Sequence, residues 1–386
     1  MASLRQFLGI MRLSARSFPG RVKSSLVIVI GLACVTVVPL SIVTMGESLK
    51  MSYLSAGAPD RALVLRQGAH RQSDSHISSA WIDTILHAPG IRTRHGKPIA
   101  DLEISTGFHP LKRAKPEKGN ARLRGFGPLG FALRPELKLL SGHLPCQGSQ
   151  DAIVGVQAQR KFADFEMGRS FEAESRLWRV VGIFEARNTL DSDVVVDAAA
   201  LKDATRRPGY DVVLLGLKSP NALKGLQDAL RSLPITVIAE TDYYQQLWSG
   251  VPSVPYFIAY ALLLLMGGGA LSGTVHTVYA ATSARAHEIV ILRAIGFNGA
   301  LVAASVVVEA VLLACLGALI GVGADWLWLQ GYPYNGGVEG GVFPILVTPH
   351  MAGLALGWAI VIGIWGALMP SLKVARGTVV EALGDL

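Results

Sequence analysis

The residues best placed to bind another molecule lie in a short charged segment, ARAHEIVILRAIGF, which interrupts two of the most apolar stretches of the chain. Arg285 and Glu288 fall one helical turn apart, and Arg293 follows within the segment. The rest of the helical surface is largely apolar, with Ile289 and Leu292 on or beside the charged side. A helix that is apolar on most sides must be covered on several of them, so the pattern favours a protein-binding helix whose charges set the register. A short interfacial loop without a partner is the alternative that these residues leave open.

Catalytic and metal-binding motifs are missing from the sequence. The nearest approach to a Walker A motif, GIRTRHGKP, has one residue too many between its glycines and no Ser or Thr after Lys97. Neither a G-x-S-x-G elbow nor an H-E-x-x-H motif occurs. His70, His76, His87 and His95 lack Cys or His at ligand spacing, so we interpret these four as solvated loop residues and not as metal ligands. We therefore predict no catalytic residue, cofactor or metal site in this chain, and no ATP hydrolysis by it.

Four long apolar stretches must position the charged segment. A helix needs about 20 apolar residues to cross a bilayer, and buried core helices are usually shorter and carry polar faces. The predicted spans are 24–46, 251–283, 299–326 and 350–371. The first could instead be a cleaved signal peptide, but its apolar stretch and basic lead-in are too long, so we predict a retained anchor.

The distribution of basic residues predicts the orientation of these spans. Segment 1–23 is predicted as an amphipathic surface helix, with a plain charge cluster before the first span as the alternative. It carries five basic residues and no acid, and Lys or Arg also occurs in 284–298 and in the tail 372–386. Basic flanks favour the cytoplasm, so we predict cytoplasmic termini in a cell inner membrane protein. The loop 327–349 is then external. The net charge of +8 does not indicate a nucleic-acid partner, because most of the charged residues lie in a long translocated domain.

That translocated domain, 47–250, is predicted to have an α+β fold. Strand-like and helix-like stretches alternate along it, and DVVLLGLKSPNALKGLQDALRSLPITVIAE indicates a strand, a helix and a second strand. Cys146 is its only cysteine, because Cys34 and Cys315 lie inside spans. The domain must therefore be stable without an internal disulfide, which about 200 residues allow.

The spans contain a few residues that stand out from their apolar surroundings. Glu309 is an intramembrane carboxylate, for which helix–helix pairing and an ionic role remain open. We expect Asp325, at the outer edge of the same span, to reach water. Glycines four residues apart predict close helix packing, although chance in a Gly-rich chain is an equal alternative; they are Gly317, Gly321, Gly353 and Gly357.

Two motifs resemble those of the MacB/FtsX-type ABC transporter permeases, the mechanotransmission (type VII) family. The first is ARAHEIVILRAIGF followed by VVVEAVLLACLGALIGV, a charged loop and then a span with a Glu and small residues. The second is the tail MPSLKVARGTVVEAL, with Arg376 and Glu381, from which Val374 and Thr378 depart mildly. SGHLPCQGSQDAIVGVQAQRKF and WRVVGIFEA are similar to the family's MacB-like periplasmic core domain, so the resemblance in layout covers nearly the whole chain.

The resemblance implies a mechanical role beside a separate ABC ATP-binding subunit. Segment 284–298 would be the coupling helix that rests on this subunit, with contacts from Arg285, Glu288, Ile289, Leu292, Arg293 and Gly296. ATP and Mg²⁺ would be bound by the partner and not by this chain. The resemblance also implies a second permease subunit, in a homodimer or heterodimer, and allows a periplasmic adaptor protein.

Two functions remain open from the sequence. The first is export or extraction of a lipid, lipoprotein, peptide or small toxic compound. The alternative is an FtsX-like regulator that activates a cell-envelope enzyme instead of moving a substrate. A large pocket in 47–250 would favour the first function, and a protruding lobe without a pocket would favour the second. An independent membrane enzyme ranks last, because the sequence has no catalytic constellation.

Overall fold

Four helices of the computed structural model, which describes residues 22–113, 117–250, 254–283, 299–335 and 342–376, are long and apolar enough to cross a membrane. They are α1 (Val22–Leu54), α8 (Val254–Ser283), α9 (Gly299–Leu329) and α10 (Pro349–Arg376). An α+β domain lies in the sequence between the first and the second of them. This arrangement confirms the predicted fold class. The predicted surface helix 1–23 lies outside the described residues, apart from its last two.

The α+β domain contains six further helices among the described residues. They are α2 (Ser79–Leu86), α3 (Gly130–Leu133), α4 (Val156–Lys161), α5 (Ala198–Thr205), α6 (Ala222–Ala229) and α7 (Glu240–Ser249). The strands are β1 (Arg61–Arg66), β2 (Thr93–Arg94), β3 (Lys97–Pro98), β4 (Ala100–Phe108), β5 (Ala121–Phe126), β6 (Lys138–Gly142), β7 (Asp151–Gly155), β8 (Ser170–Ala173), β9 (Arg176–Glu185), β10 (Asp193–Asp197), β11 (Val212–Gly216) and β12 (Ile235–Ala239).

Strand β4 joins two halves of the main sheet, whose described strands follow the order β12-β1-β11-β4-β5-β10-β7-β9-β6, with β8 beside β9. Its residues 100–103 pair with β11, whereas 104–108 pair with β5. We call the β12-β1-β11 side, with helices α2, α6 and α7, the first lobe. The β5-β10-β7-β9-β6 side, with β8, α4 and α5, is the second lobe. Both lobes belong to one compact unit, which comprises Glu47–Pro252 and Gly331–Ile345.

Each lobe has apolar clusters of its own. In the first lobe, Leu63, Leu65 and Leu214 pack with Tyr243 and Tyr244. In the second lobe, a group of aromatic rings fills one cluster, and these rings are Phe108, Phe162, Phe165, Phe171 and Trp178. Burial of such side chains contributes roughly 25 cal/mol per Å² of apolar surface, which stabilises the domain without a disulfide. The cysteines of the described residues are indeed unpaired.

The connection between the last two spans, predicted as an external loop over 327–349, contains two short paired strands, and its external position stays a prediction. Residues Pro333–Asn335 (β13) and Val342–Pro344 (β14) form an antiparallel hairpin. Phe343 on β14 is buried in the apolar cluster of the first lobe, and the ring of Tyr334 packs edge-on against it at 5.5 Å. The strands are three residues long and surrounded by Gly and Pro, so their periodicity is too short to read from sequence.

Candidate functional site

The predicted coupling helix lies outside the described residues, as does Glu381 of the tail motif. This holds for every predicted contact residue of that helix, namely Arg285, Glu288, Ile289, Leu292, Arg293 and Gly296. Arg376 is the last residue of α10. The spans that flank the segment are described, and their directions locate its two ends.

Helices α1 and α9 run parallel in close contact. A methyl group added to Gly317 would lie 2.6 Å from the carbonyl oxygen of Val29, and one added to Gly321 would lie 2.9 Å from that of Ala33. Because the residue numbers rise together on both helices, α1 and α9 point the same way. Such contacts between helix backbones need small residues.

The directions of the other two spans complete the arrangement. A methyl group on Gly267 would lie 3.0 Å from Trp358, and one on Gly366 would lie 2.7 Å from Thr274, so α8 and α10 are also parallel to each other. The last part of α1 meets the first part of α8, because Gly46 adjoins Tyr256. The four spans belong to a second compact unit, and the start of α1, the end of α8, the start of α9 and the end of α10 lie at one end of it. Segment 284–298 connects two of those ends.

A polar contact joins two spans near this shared end. The Lys373 amine on α10 donates a hydrogen bond of 2.5 Å to the Tyr279 hydroxyl on α8 and lies 4.8 Å from the centre of its ring. An amphipathic lysine can bury its stem and keep its charge at the membrane boundary. The contact thus ties α8 to α10 a few residues before the described part of α8 ends.

The second predicted glycine pair behaves differently from Gly317 and Gly321. Methyl groups on Gly353 and Gly357 would have no heavy atom within 4 Å in the described chain. Among the described helices, none therefore packs closely on them. Spacing alone could not tell which pair faces a neighbouring helix, because both pairs are four residues apart on apolar helices.

Neither acidic residue of α9, Glu309 or Asp325, is fully exposed to solvent. The prediction that Asp325 reaches water is wrong, since its side chain is 2% exposed and accepts a hydrogen bond of 2.8 Å from the Ser41 hydroxyl of α1. Position near the helix end suggested water, but packing against α1 covers the carboxylate. Glu309 is half-buried and makes a polar interaction.

The sequence did not reveal a chain of buried ion pairs that crosses the junction of the two lobes. Acids and arginines alternate along it in the order Glu136, Arg61, Glu240, Arg134, Glu103, Arg124, Asp193 and Arg122. Its shortest links are Arg61 Nε to Glu240 at 2.5 Å, Arg134 Nη1 to Glu103 at 2.5 Å and Arg124 Nε to Asp193 at 2.7 Å. We call this set the ion-pair chain.

Burial and neighbouring charges shift the pKa values in and beside this chain: the two effects oppose each other at Arg134 and act in the same direction at Asp101. Burial lowers the pKa of the Arg134 guanidinium, but the charges of Glu103 and Glu240 outweigh this effect and raise it overall. Beside the chain, burial and the charge of Glu103 raise the pKa of Asp101 to about 7. Both Asp101 oxygens accept backbone hydrogen bonds, from the Gly127 and Leu129 amides. The segment that leads to Arg134 is thereby held against β4.

A sequence signal for the ion-pair chain does exist in retrospect. Asp101 and Glu103 alternate on β4, while Arg122 and Arg124 alternate on β5. Strand pairing sets Ser105 opposite Arg124, which brings these residues to one face of the sheet. Charged residues at alternate positions of a strand ordinarily indicate a face exposed to solvent. The feature that indicates a buried network here is that β4 carries acids and the neighbouring β5 carries arginines.

The comparison with protein-family models agrees with the motifs. Residues 253–379 match the family model described as FtsX-like permease C-terminal, which includes α8, α9 and α10. Among solved structures, the periplasmic region of MacB from Actinobacillus actinomycetemcomitans aligns at 16% identity with a TM-score of 0.36, covering 50% of this chain and 94% of that one. The extracellular domain of the noncanonic ABC-type transporter YknZ from Gram-positive bacteria aligns at 14% identity with a TM-score of 0.36, covering 46% and 99%. A search of curated protein sequences gave no significant match.

The family match falls on the spans that carry both sequence motifs, the loop with its following span and the tail. Residues 253–379 thus form an FtsX-like permease domain, and the resemblance of this multi-pass membrane protein to MacB/FtsX-type ABC transporter permeases is confirmed.

Proposed function

We propose that this chain is the membrane subunit of an ABC transporter and that segment 284–298 is its coupling helix on a separate ATP-binding subunit. The direction of the spans carries the proposal, because both ends of the segment lie at one end of the spanning unit with the start of α1 and the end of α10. Basic residues flank the spans at each of these points. By the charge rule this end is cytoplasmic, in a cell inner membrane, where ATP is available to a partner.

The work of the chain is to transmit a conformational change. The partner binds ATP and Mg²⁺, and its two nucleotide states make different contacts with the coupling helix, as any driven change requires. Arg285, Glu288 and Arg293 set the register of this contact, and the apolar residues between them supply its buried area. A second permease subunit pairs with this one, and a periplasmic adaptor protein is a further candidate partner of the 47–250 domain.

An apolar groove supports a transport role with a lipid-like substrate. Helices α1 and α8 line a groove of about 350 Å³ whose walls include Gly31, Val35, Met266 and Gly273. Its lining suits an acyl chain or another apolar compound, in keeping with export or extraction of a lipid, lipoprotein, peptide or small toxic compound.

The second candidate is a regulator that activates a cell-envelope enzyme, for which the α+β domain need not hold a lipid. The α+β domain has a polar cleft of about 300 Å³ lined by residues such as His70, Arg71 and Gln246. Drug-sized ligand sites span about 300–1,000 Å³, so this cleft is at the small end and suits no lipid or lipoprotein. ATP-dependent release of a lipid from vesicles to an acceptor, with the partner reconstituted, would support transport. Activation of a cell-wall hydrolase without lipid release would support regulation.

Co-purification with candidate ATP-binding subunits tests the coupling helix. We expect the wild-type chain to retain its partner, and Glu288→Lys and Arg293→Glu to lose most of it, because each places a like charge where an opposite one binds. Lys224→Glu is the matched control, since this exposed residue of α6 also undergoes charge reversal but lies far from 284–298 in the sequence. Full occupancy of the ATP-binding subunit on both test variants would refute the proposal.

A further inference from the structure

The hairpin between α9 and α10 is built into the α+β domain. Its strands pair with Tyr334 opposite Phe343, and the Gly331 amide extends the pairing by a hydrogen bond of 2.8 Å to the Ile345 carbonyl. A two-stranded hairpin is at best marginally stable by itself in water. Packing against the rest of the domain must therefore hold it in place.

The hairpin packs on the first lobe through its apolar side chains. Phe343 is 2% exposed and belongs to the cluster that contains Tyr53, Leu133 and Tyr243. Ile345, just beyond β14, is equally buried. Burial of a phenylalanine ring is strongly favourable, so this contact can anchor a short hairpin.

The same hairpin also adjoins the second lobe. Strand β14 has Cα atoms within 8 Å of the 3₁₀ turn Thr189–Ser192 and of α4, and β13 has Cα atoms within 8 Å of α4. Leu190 of that turn is fully buried in a second-lobe cluster with Phe126 and Phe184. The hairpin therefore contacts both lobes, which β4 joins along the sheet and the ion-pair chain joins across it.

The chain links the hairpin tightly to two spans. Only three residues separate the end of α9 from β13, and four separate β14 from the start of α10. An extended residue spans at most about 3.6 Å, so neither link can absorb a large displacement of a span. Both spans are therefore tethered to the hairpin by short covalent links.

We infer that the hairpin is a wedge that couples the third and fourth spans to the angle between the two lobes, with Phe343 as its positioning residue. The inference rests on the proposed function for the source of the movement. The wedge itself is a property of this chain and can be measured without the ATP-binding subunit.

The test measures the distance between the lobes in the full-length chain by pulsed electron paramagnetic resonance. One spin label is placed on Cys146, an exposed residue of the second lobe, and the other on Lys224→Cys in the first lobe. The other two cysteines are changed to alanine. We expect a single narrow distance peak in the otherwise unchanged chain and the loss of this peak in Phe343→Ala, because the wedge no longer fixes the angle.

Phe171→Ala is the matched control, since Phe171 is also buried but packs among rings of the second lobe only, Phe108 and Phe165. It should keep the narrow peak despite a comparable loss of buried volume. Where Phe343→Ala fails to fold, Phe343→Leu keeps most of the apolar volume and should give a partly broadened peak. A wild-type peak in a folded Phe343 variant, or loss of the peak in Phe171→Ala, would overturn the inference. Co-purification does not involve Phe343, so a failure there would count against the proposed function alone.

Discussion

Replacement of Arg134 by methionine should destabilise the α+β domain more than any change of a surface arginine. Arg134 is 1% exposed, pairs with Glu103 through both terminal nitrogens at 2.5 and 3.2 Å, and lies 3.9 Å from Glu240. Removing one partner of a buried pair leaves an uncompensated charge, at a cost of about 3–5 kcal/mol. For a domain of this size each kcal/mol lowers Tm by roughly 2–4 °C, so the expected decrease is about 6–20 °C.

Thermal unfolding of the full-length chain in detergent measures this effect, with buried Trp178 as one reporter in the α+β domain. Arg113→Met is the matched control, because Arg113 pairs with Glu166 at the surface, where an ion pair contributes about 1 kcal/mol or less. Adding Glu103→Gln to Arg134→Met should recover part of the lost stability, because it removes a buried charge that has lost its closest partner and keeps only Arg124 at 3.9 Å. If Arg134→Met lowers Tm no more than Arg113→Met does, the ion-pair chain does not hold the lobes as described.

Two further predictions concern pH and helix packing. Burial raises the pKa of Asp101 to about 7 and that of Asp191 to about 6, above the usual carboxyl value, so the folded state binds protons more tightly than the unfolded state. The contribution of these two carboxyl groups to stability is fully present below about pH 4 and is lost as pH rises towards 7. Tm measured over this pH range should therefore fall less steeply for Asp101→Asn than for the unchanged chain. An equal dependence of Tm on pH in the two proteins would contradict the raised pKa of Asp101. Gly317→Ala should cost about 1–3 kcal/mol, because its methyl group would lie 2.6 Å from the Val29 oxygen, whereas Gly353→Ala meets open space and should not destabilise the chain. Equal Tm values for the two alanine variants in detergent would refute the described packing of α1 on α9.

The spans, the inserted domain and the family motifs were predictable from this sequence, whereas contacts between individual side chains were not. Four spans and an inserted α+β domain follow from the length of apolar stretches, and the motifs around Glu288 and Arg376 indicated the family that residues 253–379 match. The burial of Asp325 did not follow, because its partner Ser41 lies 284 residues earlier, on another helix. Pairs of this kind depend on which helix faces are in contact, and that information is absent from the periodicity of either helix.

The buried charges were missed for a related physical reason. Glu103 and Arg124 occupy alternate positions on their strands, a pattern that normally marks a wet face. Here the face is covered, and each charge is compensated by a neighbour of opposite sign instead of by water. The hairpin at 331–345 was missed because strands of three residues carry too little pattern to distinguish them from a loop.

The position of Phe343 also has a consequence for dissection of this protein into soluble fragments. A fragment cut at the first and last residues of the inserted segment, 47–252, would lack 331–345 and leave a hole where the Phe343 ring belongs, beside Tyr53 and Leu133. Grafting the missing fifteen residues onto the end of such a fragment through a flexible linker should restore its solubility. The smallest fragment of this chain suited to crystallisation is therefore not one continuous segment of the sequence.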